Sequence, residues 1–112
     1  MRRGLLALSI LLFACLGAQA DPALVGQWSG VAEGNPIVMT LAADGTMEMS
    51  NAGLSIGSGT WQAAAGKLTL TLNRSGGGSE QLTCDYALVE ERLRLSGEDP
   101  DCAGAPLFSR TG

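Results

Sequence analysis

No histidine occurs among the 112 residues. That absence removes imidazole chemistry: no Ser-His-Asp triad, no Cys-His pair and no histidine-ligated zinc site can be built. Charge is scarce too. Charged residues make up 16% of the chain and aromatic residues 4%, whereas 46% is hydrophobic. A disordered chain needs more charge and fewer aliphatics. Also missing is any stretch with a clear apolar period of about 3.6 residues, which excludes a helix-rich charged protein. Sixteen glycines and four prolines supply turns instead, and turns at that density imply β structure. The length accommodates one domain.

The opening residues read as an export address. Arg2 and Arg3 form a positive n-region, Gly4 to Leu16 an apolar run, and Ala18-Gln19-Ala20 a small-x-small cleavage signal. The run is too short to cross a bilayer as a retained helix. Cleavage after Ala20 is expected, leaving residues 21–112 as one periplasmic or secreted domain. Leu12-Phe13-Ala14-Cys15 offers an alternative, a lipobox in which Cys15 becomes the lipid-bearing first residue of an anchored lipoprotein. Phe13 is bulky for that motif, and the Ala-Gln-Ala site fits better.

Loss of Arg2 and Arg3 leaves five basic residues (Lys67, Arg74, Arg92, Arg94 and Arg110) against eleven acidic ones, a net charge of −6. Such a surface repels phosphate backbones and anionic membranes, so no nucleic-acid partner is expected. Of the three cysteines, Cys84 and Cys102 remain after cleavage. In an oxidising compartment an even count implies one disulfide. A redox pair or thiolate metal site would need C-x-x-C spacing or further ligands, and neither is present.

Alternation with period two recurs along the chain. Lys67-Leu68-Thr69-Leu70-Thr71-Leu72 puts leucines on one face and threonines on the other, and Leu82, Cys84, Tyr86 and Leu88 alternate likewise. One buried and one wet face imply an antiparallel sheet. Register can be checked at three turns. A three-residue loop Ala43-Asp44-Gly45 pairs Leu41 with Met47 and Met39 with Met49, keeping the apolar set on one face. A two-residue turn there would split that set between faces. A turn at Glu90-Glu91 pairs Leu88 with Leu93 and Tyr86 with Leu95, and Ala65-Gly66 pairs Trp61 with Leu70. About eight strands follow, near 24–32, 36–42, 46–50, 58–64, 67–73, 80–88, 92–96 and 106–110, with the longer loops at 51–57, 75–79 and 97–105. Closing this meander removes its two exposed edges. The expected fold is all-β, a small eight-stranded antiparallel up-and-down barrel.

Gly26-Gln27-Trp28 in the first strand resembles the G-x-W signature of lipocalins and the wider calycin superfamily. Leu107-Phe108-Ser109-Arg110 resembles the last strand of that group, which carries a basic residue. Asp44-Gly45-Thr46, Gly59-Thr60-Trp61 and Leu68-Thr69-Leu70 are similar to small bacterial lipocalin-like domains. The resemblance implies that Gly26, Trp28 and Arg110 are structural, with the guanidinium lying across the indole and bonding backbone near the start of the barrel.

Tyr86 and Cys84 lack a base nearby in sequence. Glu90 and Glu91 diverge on a turn, and Gly97-Glu98-Asp99-Pro100-Asp101-Cys102 lacks the length and glycine placement of a calcium loop. No enzyme and no cofactor are expected. Met39, Met47 and Met49 form a thioether set of the kind Cu(I) prefers, but methionines alternating beside Leu41 are better read as barrel interior, so no metal is expected. The inward set Trp28, Ile37, Met39, Met47, Met49, Trp61, Leu70, Tyr86 and Leu95 fits either an apolar pocket or a filled core. The leading expectation is an exported lipocalin-like binding module for a small hydrophobic ligand, with Trp28, Met39, Met47, Met49, Trp61, Leu70 and Tyr86 as ligand-binding residues. The alternative is a protein-interaction domain with a filled core, similar to the small secreted barrels that inhibit metalloproteases.

Overall fold

The computed structural model describes residues 21–111. The export signal and Cys15 lie outside the described residues. A 3-10 turn, Pro22–Leu24, leads into eight strands: β1 Gly26–Ala32, β2 Asn35–Leu41, β3 Thr46–Asn51, β4 Leu54–Ala64, β5 Lys67–Arg74, β6 Ser79–Val89, β7 Arg92–Ser96 and β8 Phe108–Arg110. A short helix, α1 Pro100–Ala103, interrupts the last connection. Each strand pairs with its chain neighbour, and β1 pairs with β8, giving a closed antiparallel up-and-down barrel. No described helix is long and apolar enough to cross a membrane.

Turn chemistry sets the registers. Residues 33–34, 52–53, 65–66 and 90–91 each have positive φ at both positions, the two-residue geometry that matches the right-handed twist of a hairpin. Three of these turns end in glycine. The fourth, Glu90-Glu91, holds two non-glycine residues at φ 53° and 64°. The β2–β3 loop instead has three residues. Ala42 N–H bonds Thr46 O at 2.9 Å, Gly45 N–H bonds Ala42 O at 3.0 Å, and Gly45 takes the left-handed φ of 91°. Asp44 fixes this loop by accepting from Thr46 N–H at 2.9 Å and Thr46 Oγ1–H at 2.7 Å. Those bonds hold its carboxyl below the ordinary value of 3.8. Leu41 then faces Met47 and Met39 faces Met49, as the alternation requires. Leu88–Leu93, Tyr86–Leu95 and Trp61–Leu70 also stand opposite one another.

Three boundaries differ from the sequence reading. Residues 51–57 are not a loop: β4 starts at Leu54 after the tight turn Ala52-Gly53, with a register shift between Met49 and Ser50. Gly57 and Gly59 occupy the alternate positions leading to buried Trp61, so the period-two apolar pattern is broken there. The first strand starts at Gly26 rather than near residue 24 because Pro22–Leu24 form a 3-10 turn capped by Asp21, which accepts from Ala23 N–H at 3.0 Å, with a proline at its start. The last strand keeps only Phe108–Arg110 because 104–107 serve as a connection instead.

The barrel has two unlike ends. One carries the 3-10 turn, the 42–46 loop and the turns at 65–66 and 90–91. The other carries the turns at 33–34, 52–53 and 75–78 and the long 97–107 connection. Leu24, Trp28, Met39, Leu41, Leu68 and Leu93 are wholly buried, and no polar or charged residue is buried among those described. A disulfide joins Cys84 on β6 to Cys102 on α1 across 18 residues. Such a closure contributes about 3 kcal/mol in the loop-entropy account, and it ties the 97–107 connection to the barrel wall.

Close approach of β4 to β5 yields the first prediction. A Cβ built on Gly59 would stand 1.8 Å from Thr71 O, a backbone atom that cannot swing aside. Gly59→Ala should lower stability by about 3 kcal/mol or more, measured by urea unfolding. Gly53→Ala, where nothing lies within 4 Å of the added carbon, should cost only the strain of a positive φ, about 1 kcal/mol.

Candidate functional site

The seam and the interior are the two places where side chains converge. At the seam, the β1–β8 ladder has two residue pairs, Trp28–Arg110 and Ser29–Ser109, and β7–β8 has two more. Arg110 makes up for so short a ladder. Its Cζ lies 4.3 Å over the centre of the Trp28 ring. Nη1 donates to Val25 O at 2.7 Å, Nη2 to Ala23 O at 2.6 Å, and Nε to Glu91 Oε1 at 2.5 Å. One planar fork thus joins the last strand, the N-terminal turn and the β6–β7 turn, which a lysine could not do. Trp28 Nε1–H donates to Leu24 O at 2.9 Å. Leu24 is wholly buried, so this end is closed.

The other end is hollow. A cavity of about 290 Å³ opens there. Its lining includes Ile37, Met39, Met47, Met49, Ile56, Leu70, Leu72, Leu82, Leu95 and Phe108, with Gly104, Ala105 and Pro106 forming one wall. Arg74, Glu80 and Asp101 are its charged residues. Arg74 is ion-paired with Glu80. Next to Ile56, β4 sets Gly57 and Gly59 opposite Met49 and Met47, and these two positions add no side chain to the space.

The ligand-binding set expected from sequence therefore divides. Met39, Met47, Met49 and Leu70 meet around the cavity. Trp28, Trp61 and Tyr86 lie toward the closed end and do not line it. Trp61 is held by Nε1–H donating to Ala42 O at 2.9 Å, and Tyr86 by its hydroxyl donating to Asp21 Oδ2 at 3.0 Å. Sequence reasoning did not find Ile56, Leu72, Phe108 or the charged rim. Glycines at alternate positions before Trp61 were the available signal for both the strand and the space beside it.

The chemistry on offer is that of an apolar container. Among the described residues no group of three or more His, Cys, Asp or Glu could hold a metal ion. The two cysteines are bonded to each other. Tyr86 is held as a phenol: burial, the hydrogen bond to Asp21 and that carboxylate's charge all push it above its ordinary value of 10.0.

No protein-family model matches the chain, and no curated protein or solved structure matches it. The geometry defines a class all the same: a closed eight-stranded antiparallel barrel, sealed at one end and carrying an apolar cavity at the other.

Two outcomes are expected. Arg110→Ala removes the stacked cation and orphans two carbonyls, and should cost about 3 kcal/mol. Arg110→Lys should recover less than half of that loss in chemical denaturation, because the fork and not the charge joins three segments. Tyr86 is the sole tyrosine, so alkaline absorbance titration reads it alone. Its midpoint should lie above 10.0 and move down in Asp21→Asn. Since the folded value is raised, its stabilising contribution is complete below about pH 10 and is lost as pH rises through the folded midpoint.

Proposed function

We propose that the protein is an exported, non-enzymatic binding module of lipocalin-like type, a small member of the calycin superfamily, and that it holds a small hydrophobic ligand in its open end. One observation carries the reading: a cavity of about 290 Å³ walled mainly by aliphatic, thioether and phenyl side chains, with Arg74, Glu80 and Asp101 as its charged residues. Small-ligand sites have this character, concave and apolar with few polar groups, and an eight-stranded barrel is just wide enough for one such guest. Three methionines suit a site that must adapt its shape. Export is supported by the pattern of residues 1–20 and by the disulfide, which persists in oxidising compartments. Within that reading, free periplasmic or secreted protein is favoured over anchoring at Cys15. A non-catalytic role is supported by the missing histidine, the bonded cysteines and the phenol of Tyr86 held protonated. Membership in the calycin superfamily is supported by Trp28 and Arg110 meeting at the seam, as the Gly-x-Trp start and basic last strand suggest.

A second reading, a protein-interaction domain, is favoured by one surface. Val31, Val89 and Leu107 are exposed large hydrophobics. Val89 and Leu107 line an outer groove with Ala87, Glu90, Arg92 and Arg94, and the two arginines make no ion pair among the described residues. Its partner would present an acidic segment, and the double change Arg92→Glu, Arg94→Glu would abolish that contact while leaving the cavity intact.

Methionine-methyl NMR during titration with decan-1-ol tests the leading reading. Met39, Met47 and Met49 should shift while Trp28 and Trp61 fluorescence stays constant, because the indoles lie outside the cavity. Met49→Trp, which fills the space, should weaken binding at least tenfold. Unmoved methionine signals at millimolar decanol would count against a ligand in the barrel.

A further inference from the structure

Asp21, Asp44, Asp85, Glu90 and Glu91 lie toward the closed end, so both ends carry acids, but the basic residues divide unevenly between them. Up-and-down connectivity brings the turns 33–34 and 74–79 and the 97–107 connection to the cavity end. That places Glu33, Glu80, Glu98, Asp99 and Asp101 around the mouth. Of the five basic residues among those described, Arg74 alone stands there, and Glu80 already pairs with it. Lys67, Arg92 and Arg110 lie toward the closed end, and Arg94 sits outward on β7 in the groove with Arg92. Asp101 borders the cavity and its carboxylate takes part in no ion pair or side-chain hydrogen bond among the described residues. No polar or charged residue among those described is buried.

Those facts constrain a guest in two ways. First, a charged group cannot enter an interior that offers it no partner, so any head group stays at the mouth. There an anion meets several carboxylates and can reach Arg74 only by displacing Glu80. A cation meets unpaired Asp101 and the negative potential of the rim, which also steers its approach. Second, the cavity of about 290 Å³ is roughly twice the size of an apolar cavity that admits benzene. Filled at the density of protein interiors, it takes a guest of about ten to fourteen non-hydrogen atoms.

We propose that the ligand is a cationic amphiphile: an apolar body of about ten to fourteen non-hydrogen atoms in the barrel, and an ammonium or amine-derived head beside Asp101. The inference rests on the cavity being the binding site, and the experiment separates the two claims.

Isothermal titration calorimetry at pH 7 and low salt would compare decylamine, decan-1-ol and decanoate, which share one tail. Decylamine should bind about fivefold tighter than decanol and decanoate about fivefold weaker. The differences should shrink in high salt, where exposed charges are screened. In the surface triple variant Glu33→Gln, Glu98→Gln, Asp101→Asn, the amine-to-alcohol ratio should fall toward one. Met49→Trp should lose decylamine binding, which separates cavity binding from adsorption to an acidic surface. Hexadecylamine should gain far less than about fourfold per added methylene, because its tail outruns the cavity. Decanoate binding as well as decylamine, or better, would overturn the preference for cations and leave the apolar cavity standing as a site. A full gain per methylene to sixteen carbons would overturn the size limit. Binding of none of the three would overturn the cavity reading itself.

Discussion

One arginine reinforces the seam that makes this sheet a barrel. The last strand offers two residue pairs to each neighbour, too few backbone bonds to hold a seam by themselves. Arg110 adds a stacked face on Trp28 and bonds to Ala23, Val25 and Glu91. Ser29 and Thr111 extend the same junction, with Thr111 N–H donating to Gln27 O at 2.8 Å. Because Arg110 also binds the 3-10 turn, closing the seam and capping the barrel are one event. Leu24 is buried by that cap, and the indole of Trp28 is satisfied by the carbonyl of the same residue. The sealed end follows from the seam, and with it the confinement of open space to the opposite end.

That opposite end stays hollow for a different reason. Residues at the closed end are large: Trp28, Leu41, Leu68 and Leu93 are all wholly buried. Toward the mouth β4 alternates Gly57 and Gly59, and neither has room for a side chain, with Asn73 O 2.6 Å and Thr71 O 1.8 Å from the carbon that would begin one. The two strands approach closely there, and the facing methionines are left with space in front of them. The disulfide between Cys84 and Cys102 holds the connection that forms the remaining wall. Core packing and cavity are thus two outcomes of one alternation, set by whether the inward position carries a large side chain or none.

Much of this was legible in sequence where side chains alternate visibly. The leucines of β5 and the Met39–Met49 and Leu41–Met47 pairs identify strands and register, because a slip of one residue would move every apolar group across the sheet. The start of β4 was illegible for the complementary reason: Gly57 and Gly59, with the register shift between Met49 and Ser50, break the period-two pattern around Ile56. The site was half legible. Met39, Met47, Met49 and Leu70 belong to the cavity, but alternation says only that a residue points inward and not at which end of the barrel it sits. Trp28, Trp61 and Tyr86 face the sealed half, where their polar atoms find Leu24 O, Ala42 O and Asp21. The acidic mouth was visible only as scattered carboxylates until topology gathered three connections at one end.

Xenon-pressurised crystals of the barrel test the central claim most directly, since a dry apolar space binds xenon without any chemistry of its own. A xenon site among Met39, Met49, Leu72 and Phe108, with none at the end closed by Leu24, is the result this account requires. Side chains filling that volume with no xenon bound would contradict it, and the barrel would then be a solid scaffold.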